Sequence, residues 1–154
     1  MIITTQEFLN CGLPISEEVE ESKLEYCIKT AEQFLVKPRL KDQYIEISSN
    51  PENYPEIING GIVTKDDKQI ELAGLKQAMY ELAFSELLME NVTATIFGSV
   101  VKDDEYSNNL SKDDLYMVSK RHVEIGLAYI KEITEYLGIY KATDNMNNWN
   151  EEFI

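Results

Sequence analysis

The chain contains one histidine, His122, and two cysteines, Cys11 and Cys27. Histidine is the usual general acid or base near neutral pH, but that work needs an orienting partner and a pocket. His122 falls on the apolar stripe of the last predicted helix, a position expected for a packed core or interface histidine. Cys–His nucleophilic catalysis would need His122 beside Cys11 or Cys27, and nothing in the spacing favours that. One histidine with two separated cysteines does not compose a zinc site, and neither CxxC nor HExxH occurs. Asp66-Asp67 and Asp103-Asp104-Glu105 lack the spaced ligands of an EF-hand loop and read as solvated loop charge. Gly60-Gly61 lacks the Lys-Ser/Thr of a phosphate loop and the spacing of a dinucleotide turn, so it reads as a turn. These residues assign no catalytic group, metal or cofactor, and the expected class is a protein that is not an enzyme.

Charge narrows the partners. Fourteen Lys and Arg face 28 Asp and Glu, giving a formal net charge of -14. The cations cluster only at Lys37, Arg39 and Lys41 and at Lys120-Arg121, which is no nucleic-acid footprint against that surplus. Such a surface repels nucleic acid and anionic membranes, keeps the chain in solution, and suits a channel through which DNA slides without sticking. Glu17, Glu18, Glu20 and Glu21 concentrate acid in one stretch, either a wet helix face or a channel-facing wall if the chain forms a ring. The opening MIITTQEF lacks the basic end and apolar run of a signal peptide, and no stretch approaches the roughly 20 apolar residues of a membrane span. A soluble protein made in a cytoplasm is expected, with both cysteines as small buried hydrophobes.

The elements that must position these residues are mainly helical. At 154 residues the chain suits one domain with a core of its own. Residues 4–11 predict a short helix capped by Thr4 or Thr5 and stopped near Gly12. A second helix is expected to open at Ser16, run Leu24, Cys27, Ile28, Ala31 and Leu35 along one face, and end at Pro38. Leu40, Tyr44, Ile45 and Ile47 suggest a short helix, and Asn50 to Pro55 a loop. Residues 61–72 then alternate around a charged tip, predicting a β-hairpin. Residues 73–90 are apolar around most of the helix, as expected for the middle of a bundle. Residues 91–110 favour extended structure. Ser111 with Asp114 opens the longest helix, which Gly138 stops. The expected fold is mainly α: a helical bundle of about four helices over residues 1–138, with a small hairpin and a C-terminal extension over 139–154.

That extension is polar but carries Tyr140, Met146, Trp149, Phe153 and Ile154. Ordering sixteen residues costs about 1–2 kcal/mol each for the backbone, which its few anchors do not clearly offset. Docking onto another chain is therefore expected, with external partners holding both ends. Ile62, Val63, Phe97 and Tyr106 join the tail anchors as expected interface residues.

The order of elements, with Asn59-Gly60-Gly61, Gly74-Leu75-Lys76, Thr95 to Gly98, Lys102, Tyr106 and Ser107, resembles the head–tail connector (adaptor or neck) proteins of tailed phages, especially the crAss-like phages of Bacteroidetes. The resemblance spans about residues 4–138; the tail lies beyond it, and the acidic Glu81 and Glu86 depart from the pattern. It implies a virion structural protein whose copies form a ring, usually twelvefold, between the portal and the tail. It further implies that DNA passes through the ring unbound, that portal and other neck or tail proteins dock on it, and that no cofactor is carried. The alternative reading is a soluble acidic interaction module, a regulator or DNA mimic, that binds a basic partner.

Overall fold

The computed structural model describes residues 1–90, 93–94, 100–101 and 111–139. The fold is mainly helical with a two-stranded antiparallel hairpin. The first helix, α1 (Thr5–Leu9), opens in a capping box. Thr4 Oγ1 accepts the Glu7 N–H at 3.1 Å, and Glu7 Oε2 accepts the Thr4 N–H at 2.8 Å.

The second helix starts later than expected. Ser16 Oγ accepts the Glu18 N–H in a turn, and α2 (Glu21–Ala31) begins at Glu20 with no side-chain cap. Pro38 does not end it either. A π-helical turn (Glu32–Val36) follows, then α3 (Lys37–Leu40). In that wider turn Lys37 N–H donates to Glu32 O, five residues back. The reorganised bonding accommodates a proline that has no N–H to give. The unit ends instead at Lys41, whose φ of 52° redirects the chain into α4 (Asp42–Ser49).

The segment expected as loop is ordered by its prolines. Pro51 starts a 3-10 turn (Pro51–Asn53), and Pro55 sits in the first turn of α5 (Pro55–Asn59), where its fixed φ is pre-set for a helix. The hairpin pairs β1 (Gly61–Lys65) with β2 (Lys68–Leu72), Val63 opposite Ile70. Its base is tight: a Cβ on Gly74 would lie 2.3 Å from Gly60 N, and one on Gly60 would lie 2.5 Å from Ala73 O. Both glycines also have positive φ, so the two glycine motifs of the sequence form one crossing where only glycine fits.

α6 (Leu75–Met89) is the central helix, packed chiefly against α7 (Lys112–Leu137) and α2. Its apolar circumference is buried as expected, except that Met89 is exposed. Ser111 Oγ caps α7 by accepting the Asp114 N–H at 3.1 Å, and Gly138 ends it in the left-handed region. β3 (Thr93–Ala94) pairs antiparallel with β4 (Val100–Val101), consistent with extended structure there.

Candidate assembly surfaces

The chemistry-bearing side chains are drawn into the structure itself. His122 Nδ1 lies 2.5 Å from Glu81 Oε2 between α7 and α6, and Phe84 meets the imidazole edge-on at 4.8 Å. Glu81 is buried, and this histidine engages one of its oxygens while Gln77 Nε2 donates to the other at 3.5 Å. The contact accounts for the acidic residue in the middle of an apolar helix.

The other groups behave alike. Burial, with a smaller contribution from Glu81, holds the Cys11 thiol above its usual pKa, and burial pushes Cys27 up to about 12. Neither thiol is poised as a thiolate nucleophile. Both are free cysteines. Glu32, buried in the π turn, accepts hydrogen bonds from Tyr44 Oη and, at 3.1 Å, from Ile2 N–H. Among the described residues no three His, Cys, Asp or Glu side chains converge on a point that could hold a metal ion. No described helix is long and apolar enough to cross a membrane.

The sequence-expected interface residues divide. Ile62 stands on the outer face of the hairpin and is 65% exposed. Val63 corrects the expectation: at 8% exposure it belongs to the chain's own core, because successive strand residues point to opposite faces. Phe97, Tyr106, Tyr140, Met146, Trp149, Phe153 and Ile154 lie outside the described residues. Glu17, Glu18, Glu20 and Glu21 are all exposed, and Glu21 accepts a hydrogen bond from Thr5 Oγ1 at 2.9 Å.

The N-terminal arm corrects another expectation. Ile3 and Phe8 are buried in the core, and Lys76 Nζ donates to Glu7 Oε1 at 2.7 Å, tying α1 to α6. No external partner is needed to hold that end.

Among the described residues, sequence reasoning missed three strongly exposed apolar side chains, Phe34 at 68%, Ile45 at 67% and Met117 at 63%. Ile45, one of the apolar residues that suggest the short helix, follows the buried Tyr44 and takes the outer side of α4. A signal was available for Ile45 in the adjacency of two apolar residues on a short helix. For Phe34 the signal was its place off the face that Leu24, Cys27, Ile28, Ala31 and Leu35 define. A cleft of about 210 Å³ also opens between α5, β1 and the end of α7, lined by Tyr54, Ile57, Val63, Tyr136 and Leu137 among others. It is smaller than the roughly 300–1,000 Å³ of small-molecule pockets.

No curated protein and no solved structure matches the chain. Residues 25–150 match DUF6712, described as a family of unknown function. That match covers most of the chain, which therefore belongs to the DUF6712 family.

Proposed function

We propose that this chain is a structural subunit that works by assembly rather than catalysis: a virion protein forming a ring between a phage portal and tail. The observation that supports it is the contrast between a satisfied interior and an unsatisfied surface. His122, Glu81 and Glu32 are engaged inside the fold, while Phe34, Ile45, Ile62 and Met117 stand in solvent. Burying such side chains is worth about 1.5–3 kcal/mol each, which favours contact with neighbouring molecules. The acidic surface suits a channel that DNA crosses without binding, and the resemblance to connector proteins supplies the partners: copies of the chain, usually twelve, the portal, and other neck or tail proteins. In this reading the C-terminal residues from 139 onward dock on a neighbour, and the protein resides in the virion after synthesis in the host bacterium.

Native mass spectrometry and electron microscopy of the full chain, alone and with a portal protein, test the proposal. A closed ring is expected. A strict monomer that ignores the portal refutes it. The acidic-module alternative is favoured by the exposed Glu17, Glu18, Glu20 and Glu21. It requires a monomer that binds a basic protein in a strongly salt-dependent way.

A further inference from the structure

The cleft between α5, β1 and the end of α7 is built around the point where the chain leaves its last described helix. Lys65 Nζ donates to the Tyr136 carbonyl at 3.1 Å and also to the Glu135 carbonyl, so β1 holds the final turn of α7. Gly138 N–H donates to Glu135 O at 3.2 Å and Ile139 N–H to Thr134 O at 3.0 Å. This is a Schellman turn, and it sets Ile139 against the core. Leu137, which lines the cleft, stands three residues before Tyr140, where the described residues have ended. The C-terminal segment from residue 140 onward is therefore rooted at the cleft's rim.

The chemistry of the cleft narrows what it takes. Its volume of about 210 Å³ lies below the small-molecule range and suits one large side chain. Tyr54, Ile57, Val63 and Leu137 give it apolar walls, and the Tyr54 hydroxyl is already engaged by the Glu46 carboxylate. Asn53 and Glu56, both exposed, add side chains that can accept a hydrogen bond. Apolar walls with acceptors beside them match a tryptophan, which has a broad apolar body and a single N–H donor. The chain has one tryptophan, Trp149, ten residues beyond Ile139. At about 3.3–3.6 Å per extended residue, that tether reaches up to roughly 35 Å, and it makes the encounter with the cleft intramolecular. The DUF6712 match runs through residue 150, so it includes Trp149 and leaves out Phe153 and Ile154.

We propose that this cleft seats Trp149 of the same chain while the subunit is free. The contact covers the largest apolar side chain of the C-terminal segment before any partner is met. It goes beyond the ring reading, which gives that segment to a neighbour once the ring has formed, and it stands independently of it.

As the single tryptophan, Trp149 reports its own surroundings by fluorescence. The full chain is diluted until sedimentation velocity shows single subunits. Trp149 emission is then expected to be blue-shifted and shielded from acrylamide. Tyr136→Ala removes part of the cleft's lining and should shift the emission to the red and abolish the shielding, with circular dichroism confirming the fold. Met117→Ala, which alters an exposed side chain near the other end of α7, should leave both unchanged. A second measurement leaves the cleft's apolar walls intact: Asn53→Cys with Asn150→Cys, in a Cys11→Ser background, should form a disulfide within one chain on mild oxidation. A wild-type Trp149 as red-shifted and quenchable as free tryptophan, or no disulfide in the folded chain, overturns the proposal and leaves the ring reading standing. A disulfide that joins two chains makes a neighbouring copy the occupant and overturns the same-chain seat. A chain that forms the internal disulfide yet stays monomeric beside a portal protein supports the seat and overturns the ring reading alone.

Discussion

Gly126 lies where α7 comes close to α6, and replacing it with alanine sets two opposing magnitudes against each other. Alanine is favoured over glycine inside a helix by about 0.8–1.0 kcal/mol, so an unobstructed Gly126→Ala would stabilise the protein by that amount. The site is obstructed. A Cβ there would lie 2.6 Å from Leu82 Cγ, 2.8 Å from Leu82 Cδ2 and 3.1 Å from the Ala78 carbonyl oxygen. Leu82 is fully buried and its branch carbon cannot rotate away, while the carbonyl belongs to the rigid backbone of α6. Overpacking of this kind costs about 1–3 kcal/mol. Gly126→Ala should therefore destabilise by up to about 2 kcal/mol, read as a lower urea midpoint and a fall in Tm of about 2–4 °C per kcal/mol for a domain near this size. A double-mutant cycle isolates the cause. Leu82→Ala alone should cost about 2–5 kcal/mol, and less in the Gly126→Ala background, where the new methyl enters the void. Coupling of about 0.5–3 kcal/mol is expected for residues in contact. A Gly126→Ala protein stabilised by the full helix-propensity increment, additive with Leu82→Ala, would refute the close packing of α6 on α7.

Three further outcomes can be measured. His122→Leu leaves the buried Glu81 Oε2 without its partner and should cost about 1–3 kcal/mol in chemical denaturation; adding Glu81→Leu should recover much of it, and a failure to recover would mean the pair does not act as a unit. Cys27 should resist alkylation in the folded protein at mildly alkaline pH and react only on unfolding, since burial holds its thiol at about 12; rapid native labelling of Cys27 would contradict its placement. Burial holds the Glu86 carboxyl above its usual pKa, so the folded state keeps that proton to higher pH than the unfolded chain does. The group's stabilising contribution is then present in acid and lost as pH rises through the folded value. Glu86→Gln should accordingly be more stable than wild type near neutral pH, with the difference closing in acid, and equal unfolding curves at neutral pH would contradict that burial.

Much of this architecture follows from local patterns. The threonine and serine caps, the apolar circumference of α6, the alternation in the hairpin and the inward place of His122 are each set by neighbours within a few residues, and periodicity reports them. The proposed assembly surface was far less legible. Ile62 and Val63 are neighbours on one strand, so strand alternation allows only one of them to face outward, and the structure leaves Ile62 exposed and buries Val63. The continuation of the helix past Pro38 accompanies a π turn over Glu32–Val36 that no residue type in the sequence marks. The partnership of Glu81 with His122 joins residues on two helices, as does the fit of Gly126 against Leu82. Sequence therefore determined the helices, the hairpin, the strong acidity and the scarcity of side chains suited to catalysis. Tertiary structure alone decided which polar groups are paired, which glycine admits a neighbour and which apolar side chains are left in water, because those outcomes depend on distances between elements far apart along the chain.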